Sequence, residues 1–258
     1  MAEILRLSGV NKVYGEQVQT QVLFDVNYPV HEAEFSAIIG RSGSGKSTML
    51  NIVGTLDKPT SGTVVAEGVD VSTLDEDGLA RFRHRTVGFI FQFHYLLPEF
   101  SALENVLIPY RIAHGRVPAD VENRAKELLA AVGVTERMNN RATNLSGGQQ
   151  QRVAIARSLI NSPKLVLADE PTGNLDSDSS DAVMNLLRQI NRDFHTAFVV
   201  VTHDRHIAAR CDRVVEMNDG RIVRDFRTAD VDDGRLWDDL APCWCKLKGV
   251  TPPGMAPA

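Results

Sequence analysis

The chain reads as an α/β fold: a core of buried strands and helices, an antiparallel β edge at its start, and a helical subdomain inserted between two parts of the core. Three observations predict this. Short apolar runs at residues 35–39 (FSAII), 87–91 (VGFIF), 165–168 (LVLA) and 197–201 (AFVVV) have the length and hydrophobicity of strands in the core, and LVLA suits a central parallel strand covered on both faces. The first of these runs leads directly into a glycine-rich turn and then an apolar helix. Between the second and third runs lies a stretch of different character, rich in amphipathic helical patterns.

The glycine-rich turn, residues 40–47 (GRSGSGKS), is G-x-x-x-x-G-K-[ST] with a strand before it and a helix after it. Gly40, Gly43 and Gly45 let the backbone turn its N–H groups inward on a phosphate. Lys46 brings a cation to β- and γ-phosphates, and the Ser47 hydroxyl suits Mg²⁺. The helix opening at Lys46 adds the partial positive charge of its N-terminus. A flexible Gly/Ser loop would not need this eight-residue pattern or these flanks, so the stretch is read as a nucleotide site in a P-loop NTPase core.

Length and composition set the outer bounds. A chain of 258 residues buries a full core as one large domain or a domain with an insertion. A net charge of −5 leaves no electrostatic footprint for nucleic acid, and no basic block suggests an acidic membrane surface. No apolar run reaches the length of a membrane span and no signal-peptide pattern opens the chain, so a cytosolic protein is expected, meeting a membrane only through a partner. Cys211, Cys243 and Cys245 cannot complete a disulfide framework, and Cys243-Trp244-Cys245 has the wrong spacing for the usual zinc patterns; free thiols are expected.

Taken in order, residues 4–27 alternate apolar and polar positions (ILRL, VLFDV) as antiparallel edge strands do, and Pro29 suits an edge because it cannot donate to a ladder. Tyr14 is a candidate platform for a nucleotide base. Thr60-Ser61-Gly62 reads as a turn before a short strand at 63–66. Ser101 and Glu104 form a capping box opening SALENVLIPYRI, and residues 122–132 make a second amphipathic helix. Past the LVLA strand, a helix over 179–191, the strand 197–201 and a hairpin about Asn218-Asp219-Gly220 return the chain to the core. The expected organisation is a nucleotide-binding core in two parts (1–92 and 158–228), a helical subdomain (93–157) and a loosely ordered tail (229–258).

Three strand ends carry polar groups: Gln92, Asp169-Glu170 and His203. In an open parallel sheet ligands sit outside the carboxyl ends of the strands. Asp169 is then placed to hold Mg²⁺ through water, with Gln92 a further metal contact. Glu170 is placed to accept a proton from a water attacking the γ-phosphate, and His203 to hydrogen-bond that phosphate. Singly, a Gln or His at a strand end is a polar cap; beside a phosphate loop the set makes a catalytic site. LSGGQ (145–149) adds Ser146 and Gln149 at a capping-box spacing, with two glycines between them that a plain helix start does not need.

With these motifs in this order the chain resembles the ATP-binding cassette (ABC) ATPases over about residues 4–225. In that family GRSGSGKS, through Ser42, Ser44 and Thr48 as well as the residues above, is the phosphate loop, and Gln92 is the Q-loop. LSGGQ is the signature, LVLADE (165–170) the Walker B strand, NLD (174–176) the D-loop and His203 the switch histidine; Tyr14 falls where adenine stacks. The resemblance implies ATP and Mg²⁺ as ligands. It also implies a second cassette whose phosphate loop faces Ser146, Gly147, Gly148 and Gln149, and integral membrane permease subunits as partners. Within the family, FQFHYLLPEFSALENV (91–106) and LADEPTGNLD (167–176) are similar to lipoprotein-releasing and macrolide-exporting cassettes. These imply an ATPase driving release or export of a lipoprotein or other amphiphilic cargo at the cytoplasmic face of a bacterial inner membrane; a cell-division type mechanochemical ATPase or a macrolide-type efflux ATPase is the alternative. Ala33 departs from the family, standing where a glycine is common before the first core strand.

Overall fold

The computed structural model describes residues 2–15 and 17–229. Apart from Ala229, the expected tail with Cys243, Trp244 and Cys245 lies outside the described residues. Two compact units emerge. One is built from residues up to Ser72 together with those from Phe198 onward, the other from Thr73–Ala197.

The first unit opens with β1 (Glu3–Tyr14) and β2 (Thr20–His31), which pair antiparallel. They are longer than their apolar cores because β-bulges absorb the polar positions. β3 (Phe35–Ile39) is buried at every position and leads into α1 (Lys46–Val53). β4 (Ser61–Ala66) and β5 (Val69–Asp70) complete a sheet of order β2-β1-β4-β5, so Pro29 does lie on an edge strand. The expected turn at Thr60-Ser61-Gly62 is corrected here: β4 opens at Ser61. Gly62 serves close approach, since a Cβ there would sit 2.4 Å from the Gly9 carbonyl oxygen.

The second unit begins with α2 (Glu76–Thr86), an element not anticipated from the apolar pattern. Its signals are polar: Asp75 accepts from the Gly78 N–H, acids occupy the first turn and Arg83, His84 and Arg85 the last. β6 (Val87–Phe91) follows, then α3 (Ala102–His114) with the Ser101–Glu104 capping box in place, α4 (Ala119–Ala131), α5 (Gly147–Leu159), β7 (Leu165–Asp169) and α6 (Ser177–Phe194). β6 and β7 pair in parallel, while α3, α4 and α5 pack on one another. Ala125, Leu128 and Leu129 of α4 supply the buried stripe their spacing requires.

The chain returns to the first unit through β8 (Ala197–Val201), α7 (Arg205–Ala208), β9 (Arg213–Asn218) and β10 (Arg221–Arg227). β3 pairs in parallel with both β8 and β9, and β10 closes antiparallel on β9. At the entry to β3 the Arg213 guanidinium is held by Asp225 (2.6 and 2.7 Å), Glu34 (3.0 Å) and the Pro29 carbonyl (2.8 Å). Holding a buried cation from three sides in this way fixes the strand that carries the phosphate loop. Cys211 is buried in this core.

Candidate active site

Residues 40–45 form the turn their spacing predicts, and α1 opens at Lys46. Two glycines are required by geometry. A Cβ at Gly40 would stand 2.3 Å from the Met217 carbonyl oxygen, and one at Gly45 (φ 95°) would stand 2.9 Å from Leu23. The Lys46 ammonium, almost wholly buried, donates to the carbonyls of Gly40 and Arg41, each at 2.9 Å, which holds it within the loop. Ser44 Oγ is buried and has no protein partner. A buried hydroxyl left without a partner is costly unless something else accepts from it, and in a loop of inward amides that fits a phosphate oxygen. Ser42 and Ser47 are exposed at the mouth and Thr48 is half-buried on the first turn of α1.

Tyr14, at the end of β1, has one edge and one face taken. Its hydroxyl donates to Asp57 Oδ2 (2.6 Å), and Lys12 Nζ, which donates to Asp57 Oδ1 (2.6 Å), lies 4.7 Å over the ring. Burial and the Asp57 carboxylate push the phenol pKa up, so the ring stays neutral. Burial acts to raise the Asp57 pKa, but the hydrogen bonds from Lys12 and Tyr14 outweigh it and hold the carboxyl below its ordinary value. The ring is 41% exposed, leaving the other face for a flat ligand. Lys12 and Asp57 were missed by sequence reasoning; no spacing joins residues so far apart.

His203, after β8, lines a cavity of about 680 Å³ with Gly40, Arg41, Arg205, Glu216 and Arg224. Arg224 lies 3.5 Å from Glu216, and with Arg41 and Arg205 also in the lining the wall is basic on balance and suits an anionic ligand beside the loop.

In the second unit, Gln92 follows β6 and is engaged. Its Nε2 donates to Asn174 Oδ1 (3.3 Å), and Asn174 Nδ2 donates back to the Gln92 carbonyl (3.0 Å). Asp169 ends β7, half-buried, and Glu170 follows with φ 47°, the left-handed region that a non-glycine residue enters at a cost. This re-aims the chain at the residue expected to act as base. Asp176 of the NLD stretch caps α6, accepting from the Ser179 N–H (2.9 Å), which lowers its pKa.

The LSGGQ segment forms the plain capping box as well. Ser146 Oγ accepts from the Gln149 N–H (3.4 Å), and Gln149 Oε1 accepts from the Ser146 N–H (3.0 Å). Gly147 and Gly148 are absent from the left-handed positions, so the turn itself does not demand glycine. Added Cβ atoms there would meet nothing closer than 4.0 Å, and the bare backbone leaves the start of α5 open to an outside group. Ser47 offers a hydroxyl, Gln92 an amide and Asp169 a carboxylate. Hard oxygen donors of this kind fit Mg²⁺, while no group of three or more His, Cys, Asp or Glu side chains gathers as a metal cluster among the described residues.

Fold and site together define an ATP-binding cassette, and the ABC transporter family model matches residues 23–173. The chain belongs to that family. It is 55% identical over 222 residues, 86% of this chain and 93% of the relative, to the lipoprotein-releasing system ATP-binding protein LolD of Anaeromyxobacter dehalogenans. To LolD 1 of Rhodopseudomonas palustris it is 50% identical over 225 residues, covering 86% of this chain and all of that one. Among solved structures, a dimeric post-hydrolysis state of the cassette MJ0796, bound to ADP and Pi, matches with a TM-score of 0.80 and 41% identity, over 87% of this chain and 99% of that one.

Proposed function

We propose that this chain is the ATP-hydrolysing subunit of a lipoprotein-releasing ABC transporter, working as a pair of cassettes at the cytoplasmic face of a bacterial inner membrane and reaching its cargo only through integral membrane partners. The observation that carries this reading is the identity to LolD relatives along nearly their whole length. No helix among the described residues is long and apolar enough to cross a membrane, in keeping with a partner supplying the passage.

In this reading the amides of residues 40–48, with Lys46 and the hydroxyls of Ser42, Ser44 and Thr48, hold the β- and γ-phosphates of ATP. Tyr14 offers its free face to adenine. Ser47, Gln92 and Asp169 are the residues that would hold Mg²⁺, which when bound neutralises charge developing on the phosphates. Glu170 accepts the proton of the attacking water, Gln92 orients that water, and His203 hydrogen-bonds the γ-phosphate. Ser146, Gly147, Gly148 and Gln149 address the nucleotide of the second cassette, so a lone chain hydrolyses slowly. The exposed run Phe93, Tyr95 and Leu97 is the docking surface for the membrane partner.

The test is purification of the tagged chain in mild detergent with the membrane protein that accompanies it, then reconstitution with a lipid-anchored protein. ATP-dependent release that is lost in Lys46→Ala is the expected result. A complex that hydrolyses ATP without releasing any lipid-anchored protein overturns the cargo; hydrolysis that survives Lys46→Ala overturns the site.

A further inference from the structure

His94 and Tyr95, two and three residues past Gln92, both lie at positive φ, 44° and 47°, with no glycine to make such a pair inexpensive. A strained pair persists only where its surroundings over-determine it. Here one side chain of α5 does so. Arg157 Nη2 donates to the His94 carbonyl (2.5 Å) and Nη1 to the Tyr95 carbonyl (2.7 Å). Burial lowers the Arg157 pKa, and the guanidinium's partners are these carbonyls rather than a carboxylate. A half-buried guanidinium that grips two successive carbonyls fixes the backbone shape between them.

A second connection runs inward. Gln151, six residues before Arg157 on α5, is fully buried. Its Nε2 donates to the carbonyl of Pro171 (2.6 Å), the residue after Glu170. That bond sets which end of the amide is oxygen, so Oε1 accepts from His94 Nδ1–H. Phe93 and Tyr95, on either side of His94, are each 63% exposed. The outward-facing segment is therefore tied to the backbone beside Glu170 through a single buried amide.

We propose that Gln151 is a positioning residue for hydrolysis: through Pro171 on one side and His94 on the other it sets the backbone from which Glu170 projects, and Arg157 holds the outer end of that tie. The inference rests on the reading of Glu170 as the base. Displacing the segment at 93–95 then changes turnover more than nucleotide binding, because the tie ends on Pro171 beside the base and none of its members is among the residues assigned to the phosphates.

The experiment measures Mg-ATP affinity, kcat and melting temperature on the full chain with Gln151→Leu, His94→Ala and the double variant, with Glu170→Gln as control. The expected result is a fall in kcat of roughly tenfold or more in each single variant at unchanged ATP affinity. The double variant should fall no further than the worse single one, because both cut the same tie. Wild-type kcat in folded His94→Ala, a half-buried position that tolerates truncation, overturns the proposal. So do losses that multiply in the double variant, or affinity falling in step with kcat. If Gln151→Leu does not fold, His94→Ala and Arg157→Lys carry the same comparison. Turnover that persists in Glu170→Gln would instead refute the base, a failure the other variants do not produce.

Discussion

Tyr14 and Asp57, 43 residues apart, meet through a hydroxyl–carboxylate bond of 2.6 Å, and the same carboxylate holds Lys12 over the ring. Asp57 thereby fixes both the tilt of the ring and which face remains open. Asp57→Asn keeps the size but removes the charge that Lys12 and Tyr14 share. ATP affinity should fall by about threefold to tenfold, on the order of 1 kcal/mol for a partly exposed charged hydrogen bond, with kcat at saturation little changed. Titration with a fluorescent ATP analogue checks this.

Glu170→Gln keeps the shape of the base and removes its ability to accept a proton. Turnover should drop by roughly 10²–10⁴-fold, while Mg-ATP still binds and paired cassettes accumulate. Light scattering with and without Mg-ATP, beside a phosphate-release assay, reads both effects.

Polar substitution of Tyr95 and Leu97 should leave the fold alone. Their side chains point outward, while the loop backbone is held by buried Asn105, which donates to the Leu97 carbonyl (3.1 Å) and accepts from its N–H (2.8 Å). The free energy of unfolding should shift by no more than about 0.5 kcal/mol, whereas capture of the membrane partner and its stimulation of hydrolysis fall. Unfolding of such variants would show the cluster to be core.

Ala33 stands at φ 55° in the turn before β3, where the left-handed conformation costs an L-residue about 1–2 kcal/mol. Ala33→Gly removes that cost but loosens the unfolded chain, so a net gain of about 0.5 kcal/mol is expected. Thermal unfolding should move up by about 1–2 °C.

Acid should weaken the fold in two windows. Burial, with Arg157 adding to it, pushes the His94 pKa below its ordinary value, and burial and His114 do the same to His84. For a base depressed in the folded state, the unfolded chain takes the proton first. That stability is complete above about pH 6.5 and is lost as pH falls toward the folded pKa values. Asp57 and Asp176 are depressed acids, so their contribution persists above about pH 4 and is lost only below it. Melting temperature against pH should therefore fall first below about pH 6.5. A His84→Gln, His94→Gln variant should flatten that first descent and leave the second.

What the sequence by itself determined is whatever depends on neighbours along the chain. The strand, glycine turn and helix of residues 35–53 are read off directly, because anion binding by amides needs a contiguous run of small residues before a helix. The capping boxes at Ser101–Glu104 and Ser146–Gln149 are equally local, each closing over three residues. Only the tertiary structure decided that Asp57 anchors Tyr14, that Asn174 engages Gln92, and that Gln151 joins His94 to Pro171. Those partners are separated by 20 to 82 residues and leave no period in the sequence. α2 went unseen for a related reason: its signals are a cap and end charges rather than an apolar stripe. The left-handed pair at His94 and Tyr95 had no glycine to announce it, because the conformation is imposed from outside by the Arg157 guanidinium, and a conformation held by a distant side chain is written at that side chain's position.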